Sequence, residues 1–237
     1  MDAQVWAKAS GLAMVQLSGP ERVGTAEGSC THGDDKGLIL PPLLAPYQVV
    51  IVPIGRGEQA EQVLQPAREL ASRLRLAGIR THVDDRPQLS PGFKFNDWEM
   101  RGVPIRLELG PRDLAAGAAL MAARLGDEKT PVSLDSAPAR LNFELTAFQD
   151  LLLRRATEFR DQRTVTVDTW EEFVAAVATG WARAFHCGVA ECEDDIKAAT
   201  SATPRVIPAD GEPEQGTCIR CGQPSDYGKR LIFGRAY

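Results

Sequence analysis

The sequence predicts an α/β fold in its first half, on the evidence of three adjoining segments. A nearly continuous β-branched run, "YQVVIVPI" from Tyr47, indicates a strand covered on both faces. In the next segment, "EQAEQVLQPARELASRLRLAG", apolar residues recur at intervals of three and four up to Gly78, a pattern typical of an amphipathic helix with a glycine C-terminal cap. "IRTHVDD" predicts a second strand. Strand, helix and strand in sequence form a βαβ unit, so we expect a parallel strand pair.

Length and composition narrow the class of protein. The 237 residues allow one large domain or two modest ones. No apolar run is long enough for a membrane span, and the first residues lack the pattern of a secretory signal, so we expect a cytoplasmic protein. The net charge of −5 argues mildly against coating nucleic acid, and no DNA partner is expected, but local recognition of RNA stays open.

The middle of the chain predicts a more varied order of elements. A proline-glycine turn leads into a short helix from Phe93 to Met100, which Gly102 ends, and then into a strand from Pro104 to Leu109. The alanines of "DLAAGAALMAARLGDEK" favour a helix, although the run is short and interrupted by glycine. A long amphipathic helix is expected from Leu141 to Arg163.

The last part of the chain predicts a further strand and helix. "TVTV" indicates the strand and "DTWEEFVAAVATGWARAF" the helix. Two capping-box spacings stand at its start, Asp168 with Glu171 and Thr169 with Glu172. From Cys187 onward the sequence is typical of short strands and turns with a cysteine framework.

Four cysteines near the C-terminus occur as two close pairs. Cys187 and Cys192 have four residues between them, Cys218 and Cys221 have two, and 25 residues separate the pairs. In a chain without export signals this pattern indicates a structural zinc site with four thiolate ligands and no open position for catalysis. Reduced, unliganded thiols are the alternative, and disulfides are less expected in a cytoplasmic protein. His186 lies beside the first cysteine, and with four thiolates available we expect it to be a bystander.

Two further groups of polar residues could carry chemistry. "THGDD" puts His32 beside Asp34 and Asp35, as a metal or acid–base cluster would, although a polar loop is the commoner interpretation. "SPGFKFNDWEMRGVPIRLELGPRDL" interleaves arginines, carboxylates and aromatic rings, which can bind phosphates, accept from bases and stack on bases. The same residues would also suit a surface salt-bridge network with Phe95 and Trp98 in the core, so both interpretations stay open. No phosphate-binding loop of P-loop or Rossmann type is present.

Several stretches together resemble one enzyme family. "THGDDKGLILPPLLAPYQVVIVPI", "RTHVDDRPQLSPGFKFNDWEMRGVPIRLELGPRDL", "TWEEF", "AFHCG", "CIRCG" and "YGKRLIFGRAY" are similar to the C-terminal half of prolyl-tRNA synthetase of the archaeal/eukaryote-like type. The resemblance runs nearly continuously from Thr31 to Tyr237. It implies the class II aminoacyl-tRNA synthetase anticodon-binding fold, a mixed five-stranded sheet flanked by helices, followed by a small α+β zinc-type domain. It also implies a strand for "AALMAARL", against the helical propensity of that segment.

The resemblance implies roles for individual residues. Glu99, Arg106, Arg112 and Asp113 match the family positions that contact the anticodon guanines of proline tRNA, and the four paired cysteines match its zinc ligands. Tyr237 matches a terminal tyrosine whose carboxylate folds back toward the catalytic domain in related enzymes. The implied partner is the anticodon stem-loop of proline tRNA, with a separate synthetase catalytic chain as a second candidate.

The start of the chain departs from the family pattern. Residues 1–41 resemble a degenerate end of the catalytic domain, in which Arg22 is a displaced candidate for the motif 3 arginine that holds ATP, and class II motifs 1 and 2 are absent. We therefore expect the chain to support proline–tRNA ligation without catalysing it alone, with ATP a cofactor only of the full-length family enzyme. Residues 42–135 are then the anticodon-binding domain, 136–168 a connecting helix and 169–237 the zinc-type domain. A non-catalytic paralogue acting as a protein-interaction or regulatory module is the alternative.

Overall fold

The computed structural model describes residues 33–34, 36–55, 57–126, 128–209 and 213–235. They form two compact units, one that ends at Gln162 and one that begins at Arg163. None of the helices in these ranges combines the length and apolar character needed to cross a membrane. The interpretations that concern four residues fall outside the described ranges: Arg22, His32, Asp35 and Tyr237.

The first unit is built on the predicted mixed sheet of five strands. Two short strands precede it, β1 (Gly33–Asp34) and β2 (Gly37–Leu38), which pair with each other as a hairpin. The strands of the sheet are β3 (Val49–Pro53), β4 (Thr81–Val83), β5 (Ile105–Leu109), β6 (Ala118–Ala123) and β7 (Lys129–Ser133). Their order across the sheet is β4-β3-β5-β6-β7. β3 runs parallel to β4 and β5, whereas β6 is antiparallel to both β5 and β7.

The predicted βαβ unit is confirmed as β3, helix α1 (Glu58–Leu76) and β4. Gly78 follows the end of α1 with a φ of 83°, a left-handed conformation that favours glycine. The alternation along β3 sends Val49 and Ile51 into the larger core with α1, and Val50 and Val52 toward the opposite face. Each face of the sheet therefore has its own apolar cluster.

Three further helices complete this unit: α2 (Pro91–Met100), α3 (Pro111–Ala115) and α4 (Ala137–Arg163). The long helix α4 begins four residues before the predicted Leu141, and its first turns pack in the larger core with α1. Helix α2 lies on the opposite face, where Trp98 packs against Val50, Val52 and Val103. This second face positions the candidate site.

The segment "AALMAARL" forms the strand that the resemblance implied, not the helix that its alanines favour. β6 is hydrogen-bonded on both sides, to β5 and to β7, so pairing within the sheet overrides a weak local propensity. Gly117, directly before the strand, has a φ of 64°, which ends α3 and lets the chain turn back.

The second unit contains a four-stranded sheet with two helices. The elements in chain order are β8 (Thr164–Thr166), α5 (Trp170–Thr179), β9 (Trp181–Ala184), α6 (Ala190–Thr200), β10 (Ala202–Val206) and β11 (Leu231–Arg235). The strands lie in the order β10-β11-β9-β8, and β8 and β9 are parallel while the other pairs are antiparallel. Phe173 and Phe233 meet edge to face in its core. The capping box at the start of α5 is the Thr169–Glu172 pair.

Two predictions for this unit are wrong. The helix predicted from "DTWEEFVAAVATGWARAF" ends at Thr179, and "WARA" is strand β9. Gly180 separates the helix from the strand. Only glycine fits there, because the Cβ atom of any other residue would lie 2.3 Å from the carbonyl oxygen of Arg163. The segment after Cys187 is not only strands and turns, since it contains helix α6. The helix buries Cys192, Ile196 and Thr200, whose spacing of four residues gave a readable helical signal.

Candidate nucleic-acid interface and candidate metal centre

The α2 face of the first sheet carries a cleft of about 180 Å³. Glu99, in the last turn of α2, and Arg106, on β5, both line it. The structure therefore brings together two of the four residues that the resemblance assigns to the RNA. The charged residues around the cleft are Lys36, Glu99, Arg106, Arg124, Glu128 and Lys129.

Arg106 is held in the cleft by a buried carboxylate on the same strand. Its Nε and Nη2 atoms donate to Oε1 of Glu108 at 3.2 and 3.0 Å, and Nζ of Lys129 donates to Oε2 at 2.8 Å. The ring of Phe95 lies against both cations, with its centroid 4.3 Å from Cζ of Arg106 and 5.3 Å from Nζ of Lys129. A guanidinium has five N–H donors, so Arg106 keeps N–H groups for a ligand while its position is fixed.

Helix α2 is fastened to the sheet through the carboxylate of Asp84, which is fully buried. Arg86 donates to both carboxylate oxygens, Nε to Oδ1 at 2.8 Å and Nη2 to Oδ2 at 2.6 Å, and the indole Nε1 of Trp98 donates to Oδ2 at 2.8 Å. The buried Nζ of Lys94 donates to the backbone oxygen of Asp84 at 3.0 Å. Burial raises the pKa of the Asp84 carboxyl, but the hydrogen bonds from Arg86 and Trp98 outweigh it and lower the pKa to about 2.

The start of α2 follows from its sequence. The hydroxyl of Ser90 accepts from the backbone N–H of Phe93 at 3.3 Å, and Pro91 occupies the first turn. Residues at intervals of four, Lys94 and Trp98, face inward, so Phe95 and Glu99 lie together one position further round the helix. This phase directs the Glu99 side of the helix toward the cleft.

Arg112 and Asp113 lie elsewhere, on α3 beyond the carboxyl end of β5, and neither lines the cleft. The distance from Arg106 to Leu109 along the strand is on the order of 10 Å, at about 3.3 Å per residue. Oδ2 of Asp113 accepts from the backbone N–H of Gly110 at 2.8 Å and so caps the helix. The four assigned residues thus form two separate groups on one unit.

Sequence reasoning missed the burial of several charged residues in and near the cleft. Glu108 reads as a solvated residue by alternation, yet it is buried, and Lys94 is buried as well. Arg124, whose side chain is 1% exposed, belongs to the alanine-rich segment whose composition favours a helix. Arg106 and Glu108 are two residues apart on one strand, so their side chains point to the same face, and this spacing was the sequence signal for their contact.

The paired cysteines of the second unit meet in space. Sγ of Cys187 lies 3.6 Å from Sγ of Cys221, and Sγ of Cys192 lies 3.5 Å from Sγ of Cys218. A tetrahedral metal with metal–sulfur bonds of about 2.3 Å holds its sulfur ligands about 3.8 Å apart. All four thiols are free of disulfides. The separations and the donor atoms therefore fit a metal bound by thiolates.

The loop around the second cysteine pair stabilises a thiolate. Burial raises the pKa of the Cys218 thiol, but backbone N–H groups of Cys221, Arg220 and Cys187 donate to it and lower the pKa to about 7. Gly222, directly after the second cysteine of the pair, has a φ of 74°. This positive φ lets the chain turn tightly, so that the backbone N–H of Gly222 donates to the carbonyl oxygen of Cys218 at 2.9 Å.

His186 lies against the same cluster. One donor atom from each of His186, Cys187, Cys192 and Cys218 lies within 4.8 Å of the others. Its Nδ1 accepts from the backbone N–H of Gly188 at 3.1 Å, and its buried Nε2 has no hydrogen-bond partner among the described residues. That His186 is a bystander stays a prediction.

The fold and the cleft define an RNA-recognition domain of the anticodon-binding class. Residues 48–143 match a family model described as "Anticodon binding domain", and residues 170–237 match one described as "Prolyl-tRNA synthetase, C-terminal". The chain therefore belongs to the prolyl-tRNA synthetase family and corresponds to the C-terminal region of its members.

Curated relatives agree with that assignment. The chain is 60% identical to a proline–tRNA ligase of Mycobacterium leprae over 207 residues and 62% identical to proline–tRNA ligase 2 of Rhodococcus jostii over 208 residues. Each alignment covers 87% of this chain and 43% of the relative. A proline–tRNA ligase of Cenarchaeum symbiosum is 46% identical over 193 residues, which is 81% of this chain and 40% of the relative. The chain thus spans less than half the length of these relatives.

Proposed function

We propose that this chain recognises the anticodon stem-loop of proline tRNA and so supplies the RNA selectivity of proline–tRNA ligation. The observation that carries the proposal is the cleft in which Glu99 and Arg106 face one space beside Phe95. A carboxylate accepts hydrogen bonds from N1 and N2 of guanine, a guanidinium donates to O6 and N7, and an aromatic ring stacks on a base. The relatives named as proline–tRNA ligases support proline tRNA as the RNA.

Arg112 and Asp113 form the second contact region of this proposal. Their separation from the cleft fits an RNA whose neighbouring bases are splayed apart and read individually. The cap that Asp113 places on α3 uses Oδ2, which leaves Oδ1 to accept from a base.

The proposal also includes a structural zinc site in the second unit. Cys187, Cys192, Cys218 and Cys221 would hold the ion, because their sulfur separations suit tetrahedral coordination. A closed four-thiolate site gives the ion a folding role and no open position for a substrate. Thiolate ligands require reducing conditions, which supports a cytoplasmic location.

The proposal assigns RNA binding, not bond making, to the residues described. A protein-interaction or regulatory module is the alternative, and it predicts no preference for one anticodon. Proline-dependent ATP–pyrophosphate exchange by the chain alone would contradict the non-catalytic part of the proposal. A separate catalytic chain would be the partner for ligation.

Binding to RNA stem-loops in a salt series tests the proposal. The proline-tRNA anticodon stem-loop should bind more tightly than an unrelated stem-loop of equal length, and replacing either anticodon guanine should weaken binding. Equal affinity for all of these RNAs at every salt concentration would refute recognition. The salt series is needed because contacts to phosphates alone give affinity without selectivity.

The cleft is tested by two matched arginine variants. Arg106→Ala should weaken binding by about 1–3 kcal/mol, because it removes a bidentate donor. Arg68→Ala is the control, since Arg68 is exposed on α1, on the other face of the sheet, and its one ion pair among the described residues is with the exposed Asp85. Equal losses in the two variants would show that general charge, not the cleft, binds the RNA.

A further inference from the structure

The hairpin Gly33–Leu38 is anchored to the cleft by the buried side chain of Arg124. Its guanidinium binds both carboxylate oxygens of Asp34, with Nη1 2.9 Å from Oδ2. The same group donates to the carbonyl oxygens of Gly37 and Leu38 at 3.1 and 3.0 Å. The Nε atom also lies 3.2 Å from the carbonyl oxygen of Glu99. One side chain therefore ties the hairpin to the helix end that carries Glu99.

Two glycines bring the hairpin backbone into direct contact with that helix end. Gly37 has a φ of 120°, and a Cβ atom there would lie 2.4 Å from the Cα atom of Met100. Gly102 has a φ of 75°, and its Cβ atom would lie 2.9 Å from the carbonyl oxygen of Leu38. Any side chain at either position would push the hairpin away from α2.

Lys36 stands at the turn of this hairpin and lines the same cleft as Glu99 and Arg106. The other cations around it are already engaged: Arg124 by Asp34, and both Arg106 and Lys129 by Glu108. Among the described residues no ion pair involves the ammonium group of Lys36, which is exposed, although the pKa of the neighbouring Asp34 carboxyl is lowered mainly by Arg124 and to a lesser extent by the Lys36 charge. An exposed ammonium at the rim of a cleft suits a phosphate, which it contacts as a point charge.

We propose that the hairpin Gly33–Leu38 completes the RNA cleft, with Lys36 contacting the sugar–phosphate backbone of the bound strand and Arg124 acting as a positioning residue. The inference rests on the proposed function and extends it, because the hairpin lies outside residues 48–143, which match the anticodon-binding family model. Base selection stays with Glu99 and Arg106, whereas Lys36 adds affinity for any sequence in the cleft.

Lys36→Ala in the full chain tests the contact. Affinity for the proline-tRNA stem-loop should fall several-fold, and the slope of log K against log salt should become shallower by about 0.7 to 1, the effect of one phosphate contact. The loss should be equal for stem-loops with a replaced guanine, because a backbone contact carries no base information. Lys36→Arg should retain the slope. Lys197→Ala, an exposed lysine of the second unit, should change neither affinity nor slope.

Gly37→Ala tests the anchoring, since it changes no charge. It should displace the hairpin and reduce the salt slope as Lys36→Ala does, and the double variant should show no further reduction. A merely structural role of Gly37 would lower the unfolding temperature without altering the slope. If Gly37→Ala does not fold, Gly102→Ala supplies the anchoring test, because it also changes no charge and would displace the hairpin at Leu38, with the same shallower slope expected.

The outcomes separate the two proposals. Failure of the unaltered chain to prefer the proline-tRNA stem-loop would refute the proposed function and this inference together. A selective chain whose salt slope is the same after Lys36→Ala would refute only the role of the hairpin. Because Lys36 is exposed and outside the core, this variant is expected to fold, and its result decides the inference.

Discussion

The indole N–H of Trp98 donates a hydrogen bond of 2.8 Å to the fully buried carboxylate of Asp84. Trp98 lies on α2, one residue before Glu99, and Asp84 lies directly after β4. The same carboxylate binds Arg86, which in turn contacts Asp97 of the helix at 2.8 Å. The orientation of the proposed base-reading residue therefore depends on a carboxylate that no RNA touches.

Asp84→Asn should destabilise the first unit strongly. The change leaves the buried Lys94 without its negative partner and leaves Arg86 with Asp97 alone, and breaking comparable buried pairs costs about 3–5 kcal/mol. Denaturant unfolding followed by tryptophan fluorescence measures the loss. The control is Asp85→Asn, which breaks the neighbouring but exposed pair with Arg68 and should cost less than about 1 kcal/mol. Equal losses of unfolding free energy in the two variants would show that burial of the Asp84 network does not contribute to stability.

The stability of the first unit should decrease in acid through Asp84. Its pKa is about 2 in the folded chain, below the ordinary value of 3.8, so ionised Asp84 stabilises the fold above about pH 4. That contribution, about 2 kcal/mol, is lost as the pH falls from 4 toward 2. The difference in unfolding free energy between the unaltered chain and Asp84→Asn, measured from pH 6 downward, should therefore shrink over this interval. A difference that is constant with pH would contradict the assignment.

The two groups of residues that we propose to contact RNA should act independently. Arg106 lies in the cleft and Arg112 lies on α3, with roughly 10 Å or more of chain path between them. Losses of binding free energy from Arg106→Ala and Arg112→Ala should therefore add to within about 0.5 kcal/mol in the double variant. By contrast, Arg106→Ala and Glu108→Gln should not add, because Glu108 holds Arg106. Strong coupling between Arg106 and Arg112 would place both on one base.

Removal of metal should unfold the second unit and spare the first. The thiols of Cys187, Cys192, Cys218 and Cys221 lie close together without a disulfide, so once the ion is removed no bond links their segments. Elemental analysis should find about one zinc per chain, because four thiolates bind one tetrahedral ion. Cys218→Ser should lower that content, whereas Cys30→Ser, at the remaining cysteine of the chain, should not. A folded, metal-free chain would contradict the site.

The apolar pattern of the sequence was enough to predict β3, α1 and β4, because these elements follow each other in the chain, β3 as a continuous apolar run buried on both faces and α1 with one apolar face. The strand β6 came only from the resemblance, since its alanines favour a helix and the sheet alone overrides them. The helix α6 could have been predicted from the spacing of Cys192, Ile196 and Thr200. Its one cysteine, Cys192, also belongs to the paired pattern that indicates metal binding.

The cleft was less accessible to sequence reasoning than the fold. Its decisive contacts join residues far apart in the chain, such as Arg124 with Asp34, 90 residues away. No local pattern states that a charged side chain will be buried against a distant partner. For the same reason the sequence grouped Arg106 with Arg112 by proximity in the chain, whereas the structure separates them.

The most direct test of base reading replaces each anticodon guanine singly by inosine, which lacks the N2 amino group. If the Glu99 carboxylate accepts from that amino group, inosine at one of the two positions should cost the unaltered chain about 1.5–3 kcal/mol of binding free energy, the range for hydrogen bonds to charged groups. The same replacement should cost Glu99→Ala almost nothing. An inosine penalty of equal size in both proteins, or none in the unaltered chain at either position, would contradict recognition of guanine by this cleft.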